Sequence, residues 1–172
     1  MKSFIKRVRC IAPIAFLLML LLASCSKSDD QKEFEDRAYS APSGITETTL
    51  DPQEDPISVD PDDWQISPMY RGFIQFETLP RPNPVVRNSE FRFDLNVTGI
   101  ESVPGLFIYI YDALNDRLLQ EIYRETDSLP TGALSVIIDT SAFPQTAPDN
   151  LYRILLLDSR QNVISYGDIE LQ

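Results

Sequence analysis

The chain of 172 residues has no histidine and only two cysteines. Histidine is the commonest general base and the commonest transition-metal ligand, so both kinds of chemistry lose their usual entry point. Cys10 stands just before the apolar N-terminal run and Cys25 just after it, so the rest of the chain offers no thiol for a disulfide, a metal site or a nucleophile. No cofactor and no resident metal are expected. Positive charge is scarce as well. Against 26 acidic residues stand 15 basic ones, a formal net charge of −11. Phosphate would be repelled by such a surface, so nucleic acid is not an expected partner. The last lysine is Lys32, and beyond it every basic side chain is arginine.

Long apolar runs are also lacking, with one exception. Lys2, Lys6, Arg7 and Arg9 give a basic start, and Ile11 to Leu22 is apolar except for Pro13. About 12 residues at ~1.5 Å each span roughly 18 Å, short of a ~30 Å hydrocarbon core. Residues 1–24 therefore read as a secretory signal peptide rather than a membrane span. The run ends in Leu22-Ala23-Ser24-Cys25. This box resembles the recognition signal of bacterial lipoproteins. The resemblance implies diacylglycerol on the Cys25 sulfur, cleavage before Cys25, and acylation of the new amine. Stable anchoring takes more than one acyl chain, a condition that such a modification meets. Ser26 in place of aspartate implies the outer membrane, and Ser28-Asp29-Asp30 resembles an acidic signal for export to the outer surface.

Residues 25–63 carry no sustained period and are rich in Asp, Glu, Ser, Thr and Pro. Such a stretch buries too little apolar surface to offset chain entropy. It is expected to be a disordered acidic linker, with an end-to-end distance of roughly 35 Å for about 40 residues of coil. Asp60-Pro61-Asp62-Asp63 is acidic enough to suggest calcium, but it lacks the spacing and glycine of an EF-hand loop. It is read as the turn that opens the domain over 64–172. Trp64, the only tryptophan, is expected to pack a lid onto that domain with Ile66, Met69 and Tyr70.

The domain reads as strands. Phe91, Phe93, Leu95 and Val97 alternate with Glu90, Arg92, Asp94 and Asn96, the two-residue period of a half-buried strand. Leu106 to Tyr111 is apolar on both faces, as at the centre of a sheet. Arg117 to Tyr123 follows the Asn115-Asp116 turn, giving a hairpin. An apolar run at Phe73–Phe76 and the segments 134–138, 151–157 and 163–171 complete about seven strands. No window supports a helix longer than a turn or two. An all-β, Ig-like β-sandwich is predicted. Its inward side chains are Phe91, Phe93, Leu95, Ile108, Ile110, Ile122, Val136, Ile138, Ile154 and Leu156.

Four short motifs carry a resemblance. They are Pro82-Asn83-Pro84 before an alternating strand, Ile110-Tyr111-Asp112 followed by Asn115 and Arg117, Ile138-Asp139-Thr140-Ser141-Ala142-Phe143, and Asn150-Leu151-Tyr152. Residues 79–171 thereby resemble the Ig-like domain of flagellar hook-capping proteins and the C-terminal sandwich of bacterial proteins exported by a gliding-linked secretion system. Asn115 and Asn150 stand where the family has glycines. Asparagine is the next most tolerant residue of a positive φ, so left-handed backbone is expected at both. The basic tail of the secretion-signal version is missing, which implies a resident domain rather than a sorting tag.

The expected function is a non-catalytic binding or scaffolding module, displayed from the outer membrane through Cys25. The lipid bilayer is one partner and an envelope protein or glycan another. Sheet edges and the loops 98–105, 124–133 and 143–150 would carry contacts. Tyr109, Tyr111, Tyr123, Tyr152 and Tyr166 would fill the sandwich or, in the alternative, stack on a carbohydrate. No catalytic residue is assigned. Asp112 with Asp139, the best carboxylate pair, flank turns. Asp127-Ser128-Leu129 matches a pattern for O-glycosylation at Ser128, and Asn96-Val97-Thr98 matches the N-linked sequon.

Overall fold

The structure, a computed structural model, describes residues 27–113, 115–145 and 150–172. Among these residues one α-helix, α1 (Asp29–Ala38), precedes eight strands: β1 (Gln65–Ile66), β2 (Ile74–Arg81), β3 (Glu90–Val97), β4 (Leu106–Asp112), β5 (Arg117–Glu125), β6 (Gly132–Asp139), β7 (Leu151–Leu157) and β8 (Val163–Glu170). They form a five-stranded sheet in the order β1-β8-β7-β4-β5 and a three-stranded sheet in the order β2-β3-β6, every pairing antiparallel. The all-β sandwich predicted from alternation is the fold observed. The strand not foreseen is β1, two residues long, which pairs Gln65 with Tyr166.

The sandwich core lies between the sheets. Nine of the ten predicted inward side chains are buried there, and Ile122 packs partly buried against them. Trp64 is buried too, edge-on to Phe76 and tilted against Phe93. Its ring lies so close over Gly167 that a Cβ there would meet the indole at 2.2 Å. Tyr152, near the start of β7, is buried, and its hydroxyl donates back to the Pro144 carbonyl. That is the geometry of a tyrosine corner, a device of Ig-like sandwiches.

The turns follow their side chains. Asn150 is left-handed (φ 56°), as expected. At the β4–β5 turn the left-handed residue is instead Asp116 (φ 46°), which corrects the expectation for Asn115. Asn115 closes that turn by donating its Nδ2 to Asp112 Oδ2 at 2.7 Å. The β7–β8 turn is organised by buried Asp158, which accepts from the backbone N–H of Arg160 and Asn162 and from the Tyr70 hydroxyl at 2.6 Å.

The expectation of a disordered linker over 25–63, and of no helix beyond a turn or two, is corrected for the described residues. Ser28 caps α1, accepting from the Gln31 N–H at 3.2 Å. Asp29 and Asp30 occupy the first turn and Arg37 the last, so side-chain charge opposes the helix dipole at both ends. Phe34 and Ala38 are buried against Tyr111, Leu155, Leu157, Val163 and Tyr166 on the outer face of the five-stranded sheet. The chain then runs on as a strap, bridging Glu47 to Ser58 and Thr48 to Asn83. The entropy of ordering this acidic segment is offset because the sheet beneath it is apolar on its outer face and has to be covered.

Candidate functional site

Cys25, with Leu22, Ala23 and Ser24, lies outside the described residues. Ser28, Asp29 and Asp30, the expected export signal, form the cap and first turn of α1, all three exposed. Ser128 is exposed in the loop between β5 and β6, beside buried Leu129. Asn96 lies on β3 and Thr98 just past its end, where the Thr98 hydroxyl donates to the Gly72 carbonyl.

The five tyrosines do not make one platform. Tyr111, Tyr152 and Tyr166 are buried. Tyr109 and Tyr123 are half-buried, but Tyr109 packs on the outer face of the five-stranded sheet and Tyr123 on the inner one. The Tyr109 hydroxyl donates to Glu121 Oε2 at 2.7 Å, and Glu121 also accepts from Arg124, whose guanidinium lies over the Phe107 ring. Burial and then the Glu121 carboxylate push the Tyr109 phenol above its usual range. The Arg124 hydrogen bonds hold Glu121 below its own. Asp112 and Asp139 stand in different sheets, and each is a turn acceptor, from Asn115 and from the Ser141 N–H respectively.

The densest polar cluster was not foreseen. Arg153 sits in the apolar strand β7 and Asp168 in β8, directly opposite each other. Their side chains are 4% exposed and make a two-pronged pair, Nε to Oδ1 at 2.5 Å and Nη2 to Oδ2 at 3.1 Å. The same guanidinium donates to the carbonyls of Arg37 and Ala38 at 2.8 and 3.3 Å and stacks over Tyr166. It therefore satisfies the free carbonyls at the C-terminal end of α1. Asp168 Oδ2 also accepts from the Ser43 N–H at 3.0 Å. Beside it, Asp63 accepts from the N–H of Thr46 (2.9 Å) and of Asp168 (2.7 Å). Burial pushes the Asp63 carboxyl up to about 7, against the pull of those two donors. Asn83, fully buried, completes the cluster. Its Nδ2 donates to the carbonyls of Thr46 and Asp168, and its Oδ1 accepts from the Glu170 N–H. One sequence signal existed for this cluster, an arginine placed inside "LYRILLL" where a dry strand carries no charge without a partner. Each of these groups ties the N-terminal cover to β7 or β8. Among the described residues no group of three or more acidic or cysteine side chains is arranged to hold a metal ion.

Fold and cluster together define an Ig-like β-sandwich whose larger sheet is sealed by its own N-terminal helix and strap. No family model matches the chain, and no curated protein matches it. Among solved structures, the CARDB domain of the PF1109 protein from Pyrococcus furiosus, in complex with di-metal ions, has a TM-score of 0.32 and 17% identity, over 58% of this chain and 84% of that one. So slight a likeness carries nothing about metal or role. The sandwich implied by the resemblance to hook-capping domains is present, while membership in that family is not shown. No helix among the described residues is long and apolar enough to cross a membrane.

Proposed function

We propose that the chain is a lipid-anchored protein of the outer membrane, presenting a non-catalytic Ig-like module that binds or scaffolds an envelope partner. The anchor is Cys25. The observation that carries this reading is the basic start, the short apolar run and Leu22-Ala23-Ser24-Cys25, followed within four residues by a capped helix of the folded domain. The non-catalytic part is supported by how the buried ionisable groups are used. Arg81, Arg153 and Asp168 bind backbone of neighbouring segments, and Asp158 binds backbone of its own turn and the Tyr70 hydroxyl. The contact surface that fits best is the edge of β6. β2 carries Pro80 and two register shifts, and β5 two more, whereas β6 pairs with β3 over eight consecutive residues without one. Ala133, Ser135 and Ile137 are exposed along it, so an extended segment of a partner could add there as a further strand.

Mass spectrometry of native material should find the leader removed and Cys25 acylated. An uncut leader or a free thiol at Cys25 overturns the anchor. Pull-down from solubilised outer membrane should recover a stoichiometric partner that an Ala133→Pro, Ile137→Lys variant loses. Recovery of the protein alone counts against scaffolding.

A further inference from the structure

The order of the segment after Cys25 fixes where the domain sits, if the anchor proposed above is correct. A free coil would hold the sandwich well clear of the lipid. Only Ser26, Lys27 and Ser28 separate Cys25 from the first residue of α1. The four steps from Cys25 to Asp29, at ~3.5 Å each, reach about 14 Å at most. The N-terminal end of α1 is therefore held at or just above the headgroup layer, and whatever lies beside that end is held there with it.

The hydrogen bonds identify those neighbours. The Met69 N–H donates to Gln31 Oε1 at 3.0 Å, so the short turn Pro68–Tyr70 abuts the first turns of α1. Gly72 follows, bonded to Thr98, and the Ile100 N–H is bonded to the Thr98 hydroxyl. The Tyr70 hydroxyl reaches Asp158, at the head of the turn that carries Arg160. This end exposes two large apolar side chains, Met69 (39%) and Ile100 (73%). Lys27, Lys32, Arg71 and Arg160 are exposed around them. Acids are present too: Asp29, Asp30, Glu33, Glu101 and Asp127 are exposed here, with Asp29 paired to Lys32 and Lys27 to Glu35.

The opposite end differs sharply. β8 runs from Ile164, bonded to the Ser67 N–H, to Asp168 and Glu170, which bind the strap through Asn83. From Glu47 to Asp63 the strap holds seven acids and no base. Anionic headgroups repel that end and tolerate the mixed, partly apolar one within the screening distance of roughly 8–10 Å.

We infer that the protein stands on a phospholipid surface on the Met69–Ile100 end of the sandwich, with Met69 and Ile100 entering the headgroup layer and the acidic strap pointing away. This rests on acylation of Cys25. The test uses the full acylated protein in vesicles of phosphatidylethanolamine and phosphatidylglycerol, with one added cysteine carrying an environment-sensitive dye at Met69→Cys, Ile100→Cys, Leu50→Cys or Ile137→Cys. Intact mass first establishes acylation. Dye at 69 and 100 should shift to the blue and be quenched by headgroup-proximal brominated lipid, while dye at 50 and 137 stays aqueous. Failure to acylate sinks the anchor and this orientation together. Acylated protein with dye at 69 and 100 as aqueous as at 50 sinks the orientation alone. An Arg71→Glu, Arg160→Glu variant, distant from the core, should lose part of the blue shift at 69 while remaining acylated; an unchanged shift at 69 would remove the basic side chains from the orientation.

Discussion

The two sheets of this sandwich solve the same problem in different ways. The three-stranded sheet hides one face and wets the other: on β3, Phe91, Phe93, Leu95 and Val97 point inward while Glu90, Arg92, Asp94 and Asn96 face outward. The five-stranded sheet is dry on both faces over its centre, with every residue of β8 from Val163 to Ile169 buried. A sheet of that composition has to be covered twice. The second cover is supplied by the acidic segment from Asp29 to Asp63, which joins the sheet through the buried side chains of Phe34 and Ala38 and through the buried Arg153–Asp168 pair. The lesson is that an antiparallel strand reading as apolar on both faces predicts a missing layer, even when no apolar segment is left to make it.

Breaking the Arg153–Asp168 pair should have the largest effect. Arg153→Met leaves Asp168 buried without its cation and the α1 carbonyls without a donor, a loss of roughly 3–5 kcal/mol. Denaturant unfolding measures it. The double variant Arg153→Met, Asp168→Leu should recover much of that stability, because no uncompensated charge remains, yet α1 should still exchange its amides faster than in the parent. If the single variant is as stable as the parent, the pair does not hold the cover.

Phe34→Ala separates the two faces of the larger sheet. Phe34 is 2% exposed and packs at 5.0 Å on Tyr166. Truncation should cost about 3 kcal/mol, and mainly locally. Amides of α1 should lose protection and proteolysis should begin between 39 and 63, while β3 and β6 stay protected. Phe93→Ala, on the inner face, should instead lower the stability of every strand at once.

These contrasts also explain what could be read in advance. The strands were legible because alternation on β3, and dry runs on β4, β7 and β8, are strong local signals. The helix is hidden because its segment carries little apolar surface, and only the placement of that surface marks it. In "SDDQKEFEDRA" only Phe34 is large and apolar, but the buried set Gln31, Phe34 and Ala38 has helical spacing. A capping serine, acids in the first turn and arginine in the last were all present. Arg153 and Asp168 hold Ala41 and Ser43 across 112 and 125 residues, and Asn83 joins Thr46, 37 residues before it, to Asp168, 85 after it; no local pattern encodes such meetings.

Acidity should tighten the cover. With the folded Asp63 carboxyl raised to about 7 from 3.8, its contribution is full below the unfolded value, near pH 4, where both states hold the proton. It is lost as pH rises through about 7, because the unfolded chain gives up its proton first. Asp63→Asn fixes the uncharged form. Both Asp63 oxygens accept N–H groups and an amide offers only one acceptor, so the variant should lie below the parent near pH 4 and gain on it by pH 8, by on the order of 2 kcal/mol after allowance for partial exposure. Thermal unfolding of the pair across that range isolates the group. A constant difference would mean that Asp63 is ionised in the fold throughout.

The smallest change tests whether the cover is a helix on its own account or only by docking. Ser28 supplies one acceptor to the Gln31 N–H, and Gln31 in turn holds the Met69 N–H and donates to Glu35. Ser28→Ala should cost about 1 kcal/mol, the usual worth of an N-cap, and should fray the first turn only. Ser28→Asp restores the acceptor and adds charge at the favoured end of the dipole, so it should match or exceed the parent. Amide exchange at Gln31 and Lys32 reads the effect directly, since those N–H groups bond Ser28 and its carbonyl. Equal exchange in all three proteins would mean that the apolar face of the sheet, and not the cap, sets where α1 begins.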